Sequence, residues 1–422
     1  MFQISKNLNI LLFVFSIVFF ISFSFVSNAG VFRFESETSA SGRKNSADKS
    51  EFPIYETIES SYLGDQYNLH TYFNLFGDPV SKTYDFQLLS LNGSYRFNDK
   101  FSMSLGRVFN SYYLTRAATI DTVTFEINPI SNLNFYVYGG KQSQLELRKV
   151  ALETQIKGLG FNYTTPQVYP WKVGGRIESF DYQNNPHKET LAKWTLSKQF
   201  SFFLDPEFMF VDEYDVQTNK RTKTQFGVDL FPNYKSYLSL KTSCYNPSPT
   251  NGWEQPVATI FSAGEITEHS ARWTQIITPQ VSASINGATS RFRLVDSTDS
   301  ESSEMANGKQ LGLDVDVQFR NEFGASDQIF YFDSYGGKAL GNSLKLDYQI
   351  RSGLNFLFNS DVVKYEKITS SNRTAYSTEV GFGRNLADKF RLHLLFQYSQ
   401  NNQVSKEYSI LARLFWLEWQ EI

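Results

Sequence analysis

The strongest constraint on this chain is a two-residue alternation of apolar and polar side chains. It is sustained over segments of about ten residues and recurs from Gln66 almost to the C-terminus. Residues 311–320, LGLDVDVQFR, put Leu311, Leu313, Val315, Val317 and Phe319 on one face and Gly312, Asp314, Asp316, Gln318 and Arg320 on the other. Residues 344–350 set Leu344, Leu346, Tyr348 and Ile350 against Lys345, Asp347 and Gln349. In residues 390–398, Phe390, Leu392, Leu394, Phe396 and Tyr398 oppose Arg391, His393, Leu395 and Gln397. Residues 101–106, 122–127 and 225–230 follow the same rule. Successive side chains of a strand point to opposite faces, so each segment predicts a strand with one apolar and one polar face. No helical period of 3.6 rises above this signal after residue 29.

The connections carry a second pattern. Short turns fall at Asn98-Asp99-Lys100, Pro129 to Asn132, Pro232 to Lys235, Thr278 to Gln280, Arg351 to Gly353 and Leu386 to Lys389. Longer polar stretches lie between them, at 109–118, 141–149, 182–189, 244–258, 296–309, 366–373 and 400–406. From Pro79 onward every proline sits in or beside a predicted turn or loop, as a chain that needs its backbone donors in strands requires. The count is about 16–20 strands of roughly 9–12 residues.

A soluble sandwich and a membrane barrel both alternate, but they turn the apolar face in opposite directions. Asp314, Asp316, Lys345, Asp347, Glu379 and Arg391 would be costly inside a sandwich core. Exposed to solvent they would be ordinary, so charge alone does not decide. Strand length does more, because soluble strands average about 5–6 residues and a tilted membrane crossing needs about 9–11. Aromatics are 16% of the chain and gather near strand ends, among them Phe97, Phe101, Trp171, Phe231, Tyr234, Phe390 and Tyr398. Interfacial girdles need that placement. These features predict an all-β fold: a single transmembrane antiparallel β-barrel, an up-and-down meander over residues 52–422.

The N-terminus reads as an address. Residues 1–29 carry Lys6 near the start, an uncharged run from Leu8 to Val26, and Ser27-Asn28-Ala29 before a cleavage point. That is the pattern of a secretory signal peptide; an uncleaved membrane helix is the competing reading. Residues 30–51 are polar and serine-rich and predict a flexible periplasmic tail.

Three segments carry a resemblance. The hairpins Leu91 to Arg107 (LNGSYRFNDKFSMSLGR) and Tyr376 to Tyr398 (YSTEVGFGRNLADKFRLHLLFQY), and the final YSILARLFWLEW of residues 408–419, resemble Gram-negative outer-membrane β-barrels of the porin-like kind. In the last segment Phe415, Leu417 and Trp419 alternate, similar to the C-terminal strand that outer-membrane assembly machinery reads; Gln420, Glu421 and Ile422 beyond it depart from the common form. The match is to a class, not to one family. It implies residence in the cell outer membrane, contact with its lipids and lipopolysaccharide, and small hydrophilic solutes as partners. A homo-oligomer is compatible with it.

Chemistry is sparse. The four histidines, His70, His187, His269 and His393, form no HExxH or HxxxH pair, and no GxSxG or P-loop is present. The acidic run Asp296 to Glu304 lacks a defined ligand spacing and reads as solvated loop. Cys244 is the sole cysteine, and a net charge of −3 gives no basic excess for nucleic acid. No catalytic, metal or cofactor site is expected, and the chain reads as a non-enzyme. The candidate functional residues are instead the charges of the polar face, taken as pore-lining: Lys172, Arg176, Glu178, Asp314, Asp316, Lys345, Asp347, Glu379, Arg391 and His393. Glu126, Lys193, Asp229, Lys235, Lys241, Arg320 and Asp361 share that parity, whereas Arg107 falls on the apolar parity and marks a bulge or a snorkelling side chain near the rim. Such charges set the field along a pore, or merely stiffen the wall as cross-strand pairs. Only about 20–35 residues precede the first clear strand, fewer than the plug of an energised transporter needs. Passive diffusion of small hydrophilic solutes is the leading expectation. A non-catalytic structural, adhesive or polymer-export-assisting barrel is the alternative.

Overall fold

The structure, a computed structural model, describes residues 30–44, 50–109, 119–142, 154–182, 188–246, 265–293, 305–319, 322–334, 337–351, 353–366, 374–400 and 407–421. The signal-peptide segment 1–29, the acidic run 296–304, His187 and Arg320 lie outside the described residues.

Strand follows strand. The first six are β1 Gly30–Lys44, the two-residue β2 Ser50–Glu51, β3 Ile54–Gly64, β4 Tyr67–Asp78, β5 Thr83–Asn98 and β6 Phe101–Phe109. Then come β7 Thr119–Ile130, β8 Leu133–Gln142, β9 Thr154–Thr164, β10 Trp171–Tyr182, β11 Lys188–Gln199 and β12 Glu207–Asp215. β13 Lys220–Asn233, β14 Ser236–Tyr245, β15 Ile266–Thr278, β16 Val281–Arg293, β17 Met305–Phe319 and β18 Phe323–Ser334 continue the meander. β19 Gly337–Arg351, β20 Leu354–Glu366, β21 Thr374–Ala387, β22 Phe390–Gln400 and β23 Glu407–Glu421 complete it. Apart from β2, they form one closed antiparallel barrel of 22 strands.

The expected class, topology and closure hold, but the strand number exceeds 16–20. One reason lies in residues 30–51. Far from a flexible tail, Gly30–Lys44 is a 15-residue wall strand. It runs against β23 from Val31↔Glu421 to Arg43↔Ser409, and against β3 from Gly30↔Gly64 to Ala40↔Ile54, so it closes the barrel. Its face of Phe32, Phe34, Ser36, Thr38 and Ala40 loses bulk after two residues, and apolar periodicity had nothing to register.

Both ends of the described chain lie at one rim, since Gly30 faces Gly64 and Val31 faces Glu421. Eight of the ten connections at that rim are two or three residues long, whereas the opposite rim joins β8 to β9, β14 to β15 and β16 to β17 through residues 143–153, 246–265 and 294–304. Short turns beside the termini and long loops opposite are the periplasmic and outer sides of bacterial outer-membrane barrels.

Cross-strand partners share a face, so the register sorts the two surfaces. Outward go Leu105, Ile285, Leu313 and Leu340, each at least 40% exposed. Aromatic pairs ring the short-turn rim on this face: Phe97–Phe101 at 5.0 Å, Phe200–Phe208 at 5.6 Å and Phe390–Trp416 at 5.7 Å between centroids. Tyr376, Tyr398 and Tyr408 form a chain of rings near the other rim. Polar exceptions are paired. Arg107 lies outward near the long-loop rim and donates to both carboxylate oxygens of Asp121 at 2.7 and 2.9 Å. Beside it Gly106 has φ +136°, a conformation that suits glycine. Asn342 donates to Asp327 at 2.6 Å on the same outer face.

In the C-terminal strand the register reverses the expected emphasis. Phe390↔Trp416 and Leu392↔Leu414 place Tyr408, Ile410, Ala412, Leu414 and Trp416 outward. Phe415 goes inward and meets His393 at 5.1 Å.

Candidate functional site: the inner wall

All ten predicted pore-lining residues are strung along the inward faces of β10, β17, β19, β21 and β22 by the same alternation. They form two separate groups.

The larger group spans β17 to β22. Asp314 accepts from Asn286 at 3.2 Å and lies 3.7 Å from the Arg272 guanidinium. Asp316 lies beside Ser282 and Ser326, and Ser326 in turn beside Lys345. Lys345 is opposite Asn359, whose amide donates to Glu379 at 2.9 Å. Asp347 is opposite Gly324. Asn355, with its amide turned to satisfy both neighbours, donates to the Gly383 carbonyl at 2.9 Å and accepts from Arg391. His393 packs edge-on against Phe415 and is paired in register with Arg413. Both signs occur along this wall in patches: Asp314 and Asp316 follow each other on β17, while Arg391 and Arg413 flank His393. Such patches grade the field along the wall.

The second group, on β10, sits in a different environment. Lys172 lies near the short-turn rim, between Thr164 and Ser197. Higher up, Arg176 lies between Gly160 and Lys193, and Glu178 accepts a hydrogen bond from the Tyr138 hydroxyl. Glu178 is 0% exposed and Glu189 and Asp215 1%. Around them Ile120, Tyr136, Tyr138, Ile156, Phe180 and Leu191 make a buried apolar cluster on the inward face. The tyrosine rings lie across glycines of β9: a Cβ on Gly158 would collide with Tyr138 and one on Gly160 with Tyr136. Bare backbone opposite a ring is how strands accommodate such close approach. Glu213 receives the Thr222 hydroxyl at 2.8 Å and faces Lys193 in register. This arc is a packed interior, not a water-lined wall.

Of the remaining polar-face charges, Glu126 takes the Asn134 amide at 3.4 Å, and Asp229, Lys241 and Asp361 hold inward register positions. Lys235 departs from the expectation, because it lies in the turn between β13 and β14 with its ammonium over the Tyr234 ring. A further group escaped the sequence patterns. Glu59 lies 3.2 Å from His70, whose other ring nitrogen is 3.1 Å from the Ser90 hydroxyl. Arg33 pairs with Glu35 on β1, and Arg413 lies 3.7 Å from Glu37 across the closing seam. Among the described residues, no group of three or more His, Cys, Asp or Glu is placed to hold a metal ion.

A closed antiparallel wall with an apolar, aromatic-ringed exterior and a charged interior defines the outer-membrane β-barrel class. No protein-family model matches the sequence, and no curated protein does. Solved structures do match. The siderophore receptor PirA from Pseudomonas aeruginosa superimposes with a TM-score of 0.61 at 10% identity, over 91% of this chain and 80% of that one. PirA from Acinetobacter baumannii gives 0.58 at 8% identity, over 92% and 80%. A mutant of the ferric enterobactin receptor PfeA from Pseudomonas aeruginosa gives 0.61 at 8% identity, over 91% and 80%. At such identities the likeness concerns the fold alone.

Proposed function

We propose that this protein resides in the outer membrane of a Gram-negative cell, after removal of residues 1–29 as a secretory signal, and lets small hydrophilic solutes diffuse through its lumen without catalysis. One observation carries the reading. From β17 to β22 the inner wall offers Asp, Lys, Glu, Arg, Asn and Gln, while the outer face of the same strands is mainly apolar, with its Asn342 and Asp327 side chains paired to each other. An interior of that chemistry is favourable only against water. The 22-strand count is that of transporters with a plugged lumen. Among the described residues, however, every one belongs to a wall strand or a connection between wall strands. The outward aromatic rings would contact lipid and lipopolysaccharide, and β23 is the segment that assembly machinery would engage.

Reconstitution in a planar bilayer tests this directly: the expected result is stepwise conductance. A protein that inserts, shows heat-modifiable mobility and never conducts would exclude it. A second reading then gains weight, a structural or export-assisting barrel with a filled lumen. It is favoured by the buried cluster on the inward face of β7 to β11.

A further inference from the structure

Two depressions of ≈ 420 and ≈ 400 Å³ lie side by side at the short-turn end, against the inner wall, and share Gln318, Gly324 and Asp347. The polar lining of the second adds Glu322, Gln349, Asn355, Asn385 and Arg391. Gly324 forms part of its floor: a Cβ there would come within 3.2 Å of the Gln318 amide oxygen, so a side chain would fill the space between Gln318 and Asp347. Arg391 is held in place by Asn355.

We propose that this niche is a binding subsite for a neutral polyhydroxylated solute, of mono- or disaccharide size, at the periplasmic mouth. The proposal rests on the channel reading for its physiological meaning, but binding itself does not require conduction. The donor set makes the choice. Gln318, Gln349, Asn355 and Asn385 each present an amide that both donates and accepts, as a sugar hydroxyl does. Asp347 adds a pure acceptor and Arg391 a forked donor, the two extremes that adjacent hydroxyls can satisfy together. A bound anion would meet the carboxylates of Asp347 and Glu322, and a bound cation Arg391, so neither fits alone. A zwitterionic amino acid would need only one charge of each sign and would leave the four amides unused.

The test uses mature protein in detergent, titrated calorimetrically with maltose and, separately, with glutamine. Maltose is expected to bind saturably and better than glutamine. Asp347→Ala and Arg391→Ala should each weaken it about tenfold, the effect of losing one hydrogen bond to a charged group. Ser104→Ala, on β6 away from the niche, should leave it unchanged. Heat-modifiable mobility reports folding of every variant; Asn355→Ala replaces any variant that does not fold. The proposal is lost if maltose shows no saturable binding, if glutamine binds more tightly, or if the folded niche variants bind maltose like wild type. Binding without conductance in the planar bilayer would sink the channel reading and leave the subsite standing. Conductance without binding would do the reverse.

Discussion

At the scale of single residues, face decides what a substitution costs. Leu313 and Asp314 are neighbours on β17, one 40% exposed on the outer surface and the other bonded to Asn286 inside. Leu313→Arg puts a cation against hydrocarbon and should cost about 2–4 kcal/mol near the bilayer midplane. Asp314→Asn keeps a polar group in a polar wall and should leave folding within about 0.5 kcal/mol of wild type. Urea titration of refolding into lipid vesicles measures both, and equal damage from the two would refute the assignment of faces. Tyr138 supplies a different case. Tyr138→Phe keeps the ring over Gly158 but removes the hydroxyl that donates to the fully buried Glu178. The expected loss is about 1–3 kcal/mol, the worth of one hydrogen bond to a buried carboxyl group. The same titration reads it, and no change would mean that Glu178 is satisfied without Tyr138. The predicted pore-lining residues of β17, β19 and β22 were legible because Leu, Val, Phe or Tyr flanks each of them at both neighbouring positions. Arg413 was not, since residues 410–417, ILARLFWL, are apolar on both parities. Only the pairing with β22 decides between them. Arg272 was missed because small and polar residues surround it in EHSARWTQ.

Elements depend on neighbours more than on their own composition. β1 has almost no apolar stripe, yet it pairs along its length with β3 and β23. Its place in the wall comes from hydrogen bonds on both edges, which no single-strand periodicity can show. In a bilayer an unpaired edge is costly because no water replaces the lost partners. Removal of residues 30–44 behind an intact signal should therefore abolish the folded, heat-modifiable form. A dispensable tail would tolerate the same deletion. Thr38→Pro is a finer probe. Proline in a strand paired on both sides removes a ladder bond and should cost at least about 1–3 kcal/mol, whereas Thr38→Val should cost little. Protease resistance of the assembled protein in membranes distinguishes the two. The strands with long apolar-against-charged runs, β17, β19 and β22, were readable from sequence. So were turns such as Asp99-Lys100 and Pro279-Gln280, whose residues favour tight reversal. What sequence could not supply was the partner of each edge, and with it the closing strand and the strand number.

For the whole molecule, strand number sets how far wall charges reach. At about 4.8 Å between strands and a tilt of about 40°, a wall of this many strands closes at a backbone radius of about 20 Å. Inward side chains leave an opening wider than one Debye length, about 8–10 Å at 0.1–0.15 M salt. If the lumen is open across its width, the charges of β17 to β19 therefore govern only a shell of the solution at physiological ionic strength. Asp314→Asn, Asp316→Asn and Asp347→Asn together remove three inward negative charges, and the channel should become more anion-preferring. The shift should be small at 0.1 M salt and grow steeply at 0.01 M, where the Debye length of about 30 Å exceeds the radius. Reversal potentials across a salt gradient, taken at both ionic strengths, measure it. A large shift already at 0.1 M would mean that the conducting path is confined near β17 to β19, as it would be if the packed arc beside Ile120, Tyr138 and Phe180 belongs to a filled part of the lumen. No shift at either ionic strength, in a channel that conducts, would show that ions bypass this wall and that its charges serve the barrel's structure alone.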